Sequence, residues 1–125
     1  MKILTLIIKQ VYFDQIMAGT KKTETREIRA KGASKYIQYI DDAGNIYKKD
    51  TDIPEDVDAD FEPVKYDAIR FYVGYNKDRD TALVEVKGAK VFISTDEDDK
   101  EIVYEYEGKE YLAAEIDYKL GKIIE

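Results

Sequence analysis

Hydrophobic and polar positions alternate through Lys2–Ile8, KILTLII, and the apolar run at its end predicts a strand. In the following QVYFDQIMAG, Val11, Phe13, Ile16 and Met17 fall largely on one side of a helix. Gly19 stands where that helix is expected to stop. The pattern then breaks: from Thr20 to Glu27, TKKTETRE, no side chain is apolar. If this stretch is extended, Lys22, Glu24 and Arg26 share one face, with Lys21, Thr23, Thr25 and Glu27 on the other. Neither face enters an apolar core cheaply. The stretch therefore predicts either an edge strand in water, with Glu24 and Arg26 as a weak ion pair, or a wall around a polar ligand.

Further along, KYIQYIDDAGNIYKK reads as a hairpin turning in Asp41–Asn45. Residues 50–63 hold both prolines and a run of acids, which predicts a surface loop. YDAIRFYVGY and TALVEVKGAKVFIS read as two strands, with a bend or bulge at Gly88. IVYEYE and EYLAAEIDYKL form another predicted hairpin across Gly108-Lys109. With one clear helix, at least five strands and no internal repeat, the expected fold is α+β. It is a small, mostly antiparallel β-barrel with one or two helices packed at its end. Residues 1–125 are expected to form one domain, with acidic insertion loops near 41–63 and 95–101.

Within the strand TALVEVK, Ala82, Val84 and Val86 lie on one face, and Leu83, Glu85 and Lys87 on the other. Glu85 is thus a carboxylate at an otherwise apolar strand centre. It reads either as an outward residue of a half-buried sheet or as the facing wall of a charged pocket. Tyr36 and Tyr39, beside the loop GASKY, are candidates for stacking on a base, although tyrosine in strands is more often packing.

Composition narrows the chemistry. The chain has no cysteine, so it forms no disulfide and no thiolate metal site, and no histidine, so imidazole catalysis and ligation are excluded. Acid–base work would fall to Asp, Glu, Lys or Tyr. No apolar run reaches the roughly 18 residues of a membrane span, and no signal peptide is legible, which favours the cytoplasm. Lys and Arg beside the carboxylates argue against a bound metal, and no cofactor is expected. The net charge of −7 would normally disfavour nucleic acid. Yet nine acids lie in 41–62 and five in 96–101, while residues 1–40 carry eight Lys or Arg against three acids, a net of +5. The N-terminal third is a candidate basic patch.

The opening LTLIIKQVYFDQIMAGTKKTETR resembles that of ASCH domains, members of the PUA-like barrel superfamily, through Phe13, Asp14, Ile16, Gly19, Lys21, Glu24 and Arg26. YDAIRFYVGY, TALVEVKGAKVF and the closing YKLGKIIE resemble later segments of the family, including a carboxylate at Glu85; residues 31–63 and 95–110 lie outside the resemblance. The resemblance implies a barrel with a cleft between the polar strand and the Glu85 strand, and a link to RNA or modified nucleosides. Some small relatives hydrolyse acetylated cytidine with a Lys, Thr and Glu set. Lys21 and Glu85 match that set, but the threonine place is held by Glu24. The first expectation is therefore an RNA- or nucleoside-binding module. Glu24 and Glu85 would read the base and Lys21 and Arg26 the phosphate, with Lys22, Tyr36 and Tyr39 as further ligand-binding residues. The alternative is a small hydrolase of an acylated nucleoside or RNA, with Lys21, Glu24 and Glu85 catalytic. A third reading is a regulatory protein whose acidic segments dock a basic partner.

Overall fold

The computed structural model describes all 125 residues, as an α+β fold with one α-helix and ten strands. The chain divides into two compact units built from alternating segments. The first comprises residues 1–24, 65–89 and 117–125, and the second residues 25–64 and 90–116. No helix is long and apolar enough to cross a membrane.

The first unit begins with β1 (Ile3–Ile8), whose alternation buries Leu4, Leu6 and Ile8. Helix α1 (Gln10–Met17) follows and buries Phe13 and Ile16. The helix ends as its sequence predicts: Gly19 adopts φ 79°, where a β-carbon would be strained. The backbone N–H groups of Thr20 and Lys21 then both donate to the Gln15 carbonyl, at 3.0 and 3.1 Å. This fixes where the polar stretch leaves the helix.

β1 pairs in parallel with β6 (Ala68–Val73), from Ile3 opposite Ala68 to Ile8 opposite Val73. β6 pairs antiparallel with β7 (Thr81–Ile93), Ile69 facing Val84 and Phe71 facing Ala82. One face of these strands, with Leu4, Leu6, Ile69, Phe71, Ala82 and Val84, is almost wholly buried. Full burial of a side chain such as Phe71 is worth about 1.5–3 kcal/mol. β10 (Ala114–Ile123) adds the buried Tyr118 and Leu120, and β2 (Thr23–Ile28) completes the order β1-β6-β7-β10-β2. The sheet is thus mixed, since β1 and β6 run parallel. Such a pair needs a long crossover, here begun by α1. Alternation in TETREI does form a strand, at an end of that order, and β7 continues unbroken through Gly88.

In the second unit β3 (Ile37–Asp41) and β4 (Ile46–Tyr47) form the expected hairpin. Its turn is held by Asp41, whose carboxylate accepts from the backbone of Ala43 and Asn45, the Asn45 amide and the Tyr47 hydroxyl. The segment expected as a loop over 50–63 is not all loop. After a 3-10 turn at Asp50–Asp52, Ala59–Pro63 forms β5 and pairs with β3, Tyr39 facing Phe61. Asp60 and Phe61 are exposed while Glu62 is half-buried and accepts from the Gln38 amide at 2.8 Å, so the acids belong to a strand that their charge had disguised.

The hairpin across Gly108 is present as β8 (Val103–Tyr106) and β9 (Lys109–Leu112). EYLAAEIDYKL, however, is two strands. Leu112-Ala113-Ala114 interrupts the alternation: Ala113 still donates to the Ile102 carbonyl at 2.8 Å, in register with β8, and β10 starts at Ala114. In the acidic segment after β7, Asp96 accepts from the backbone of Asp98 and Lys100, closing a turn bridged at Thr95 and Glu101.

Candidate functional site

The helix exit and the start of β2 bring Lys21 and Glu24 together in the first unit. Glu24 is 5% exposed and is the one charged residue among the buried side chains. Lys21 Nζ lies 3.2 Å from Glu24 Oε1, donates to the Thr23 carbonyl at 2.8 Å, and sits 5.4 Å from the centre of the Tyr12 ring. The ammonium is therefore satisfied on three sides while about a fifth of the Lys21 side chain reaches solvent. Desolvating a carboxylate is expensive, and such a pair holds only where geometry and hydrogen bonds compensate. Packed hydrophobes of the same volume would serve stability as well or better.

Glu85 approaches from β7. Its neighbour β10 has Gly121 at the point of closest approach. A β-carbon built there would lie 2.1 Å from Glu85 Oε1 and about 3 Å from its Cδ and Cγ. The glycine is thus the seat of the carboxylate, a role that glycine within a strand often plays. Glu85 Oε1 also accepts from Lys122 N–H at 3.4 Å, a long and weak bond. It makes no ion pair and is half-buried. On the other side of β10, Leu120 N–H donates to the Lys22 carbonyl at 2.9 Å. Leu120–Lys122 therefore touches the residue after Lys21 on one flank and the Glu85 carboxylate on the other. β10 separates the strands of Glu24 and Glu85 in the sheet order, and Glu85 leans over that intervening strand.

The other predicted residues fall elsewhere. Lys22 is exposed, and Arg26 is half-buried on the same face of β2 as Glu24. Tyr36 is not a free stacking surface: it is only 9% exposed, with Lys35 Nζ 5.3 Å from its ring centre. Its aromatic bulk belongs to the core of the second unit. Tyr39 lines a cavity in that same unit. Gly121 and Lys122 were not among the sequence candidates. The available signal was a lone glycine inside the β-like run YKLGKII. No group of three or more carboxylates converges as a cation site. Compared with protein-family models, characterised proteins and solved structures, the chain matches none.

Proposed function

We propose that the first unit is the ligand-binding part of a PUA-like, ASCH-type module for RNA or a modified nucleoside. The observation that carries this reading is the pairing of buried Glu24 with the partly exposed Lys21, at 3.2 Å. A carboxylate in that position accepts from the exocyclic amine of a base, and the solvent-reaching Lys21 and exposed Lys22 supply positive charge for a phosphate or a carbonyl oxygen. Glu85, seated on Gly121, is the second acceptor. The +5 charge of residues 1–40 favours an anionic ligand despite the net charge of the whole chain. Titration with short single-stranded RNA across a salt series tests it. Binding whose logarithm falls linearly with the logarithm of salt concentration supports the reading, and absence of salt-sensitive binding removes RNA as a ligand.

One observation favours a catalytic variant of the same site. Glu85 is half-buried, without an ion pair, and so is available as a general base. Turnover of acetylated cytidine by the protein and its loss in Glu85→Gln supports hydrolysis. Equal turnover by both excludes Glu85 from it.

A further inference from the structure

The second unit contains a cavity of about 290 Å³ outside the charged site. This is near the lower end of small-molecule sites, the size for one ring system and not for a nucleotide. Its walls combine four aromatic rings with the aliphatic Ile28, Ile37, Val91, Ile93 and Leu112. Tyr39 and Phe61 pair across β3 and β5, and Tyr104 and Tyr111 pair across β8 and β9 with ring centres 5.9 Å apart. Ala33 and Ala114 also line it, and their small side chains leave the space open.

Of the three charged groups at this cavity, Asp50 and Lys109 are spent on one another, and Glu110 is exposed to solvent. Asp50 is paired with Lys109 Nζ at 2.6 Å and accepts from the Tyr111 hydroxyl. Burial alone would push the Asp50 carboxyl up, but the hydrogen bonds from Lys109 and Tyr111 outweigh it and hold the group below its ordinary range. Tyr104 accepts from the Ala30 N–H at 3.0 Å. The Tyr39 hydroxyl, by contrast, makes no hydrogen bond within the protein, and burial, then the Asp50 charge, keeps it protonated beyond the usual phenol range. One wall therefore presents a neutral hydroxyl while most of the rest presents aromatic and aliphatic side chains.

We propose that the second unit binds an uncharged, planar aromatic molecule, stacked among these rings and hydrogen-bonded along one edge by Tyr39. Planarity follows from the two aromatic pairs, Tyr39 with Phe61 and Tyr104 with Tyr111, set among aliphatic side chains that offer no polar contact to a ligand's faces. Neutrality follows from the internal pairing of Asp50 and Lys109, since a charged ligand would be desolvated without a partner. The site is independent of Lys21, Glu24 and Glu85.

The test is an NMR titration of the full chain with indole, compared with cyclohexanol as a non-planar molecule of similar size. Indole is expected to give saturating shifts in the amides of 37–41 and 103–112, and cyclohexanol none. Ala33→Phe, which fills the space, is expected to weaken indole at least tenfold. Tyr39→Phe, which keeps the ring, is expected to weaken it about threefold through the lost hydrogen bond. Glu85→Gln is expected to leave indole binding unchanged, so failure of the charged site and failure of this one remain distinguishable. No saturation by indole, equal saturation by cyclohexanol, or indole binding that Tyr39→Phe leaves intact would each overturn the proposal.

Discussion

Gly121→Ala separates the seat of Glu85 from the stability of the fold. The added β-carbon would stand 2.1 Å from Glu85 Oε1, 3.0 Å from Cδ and 3.1 Å from Cγ. Ordinary contact needs about 3.5 Å, so the oxygen must retreat by more than an ångström, and Cδ and Cγ by a few tenths. These three nearest atoms all belong to one flexible side chain, which can move aside. Holding Glu85 off its favoured rotamer costs about 0.5–1.5 kcal/mol. The 3.4 Å bond from Lys122 N–H is lost, but water replaces it at an exposed backbone. Against this, Gly121 is not in the left-handed region, so alanine restricts the unfolded chain and returns about 0.4–1 kcal/mol. The expected net change is within about 1 kcal/mol, read by urea denaturation. Nucleoside or RNA affinity is expected to fall about tenfold or more, because the carboxylate is expelled from its place. A stability loss above about 3 kcal/mol would refute the reasoning, since it would mean that the β-carbon meets packed structure. Unchanged affinity would refute the role given to Glu85.

Three further outcomes follow from particular contacts. Asp50 has its carboxyl pKa lowered from the ordinary 3.8, because hydrogen bonds from Lys109 and Tyr111 exceed the opposing effect of burial. Its contribution is therefore complete above pH of about 4 and lost as pH falls further, so the stability gap between the wild type and Asp50→Asn is expected to close in acid denaturation below that point. Glu107 and Gly108 form the two-residue turn between β8 and β9 with φ of 50° and 77°. Glu107→Asn is expected to raise stability by about 1 kcal/mol in thermal unfolding, since asparagine tolerates this conformation. Tyr104→Phe removes the acceptor of the part-buried Ala30 N–H and is expected to cost about 1–1.5 kcal/mol by the same assay.

Much of the strand pattern was legible because period-two alternation is local. KILTLII, YDAIRFYV and TALVEVK carry their buried face in their own spelling. The polar strand was legible for the same reason, down to the shared face of Glu24 and Arg26. The parallel pairing of β1 with β6 was not, because a strand's local pattern does not name its partner far along the chain. β5 was hidden because acids and prolines are loop signals that here fall within a strand. At the site, the residue types were visible but their energetics were not. That Glu24 is buried depends on where the Lys21 ammonium comes to rest, which follows from the backbone turn after Gly19. Gly121 gave its signal in YKLGKII, yet only the fold says that Glu85 is what rests against it. Asp50 and Lys109 are 59 positions apart. Nothing in either local sequence announces that pair.

The most direct test of a functional charged site is a binding and stability cycle over Lys21→Met, Glu24→Leu and the double variant, each titrated with single-stranded RNA and with acetylated cytidine. Breaking the pair from one side is expected to cost up to about 3 kcal/mol, discounted because Lys21 is partly solvated, whereas the double variant is expected to match or exceed wild-type stability. The account predicts that this stable double variant loses ligand binding at least tenfold. A double variant that binds both ligands as the wild type does would contradict it, leaving the pair a feature of packing alone.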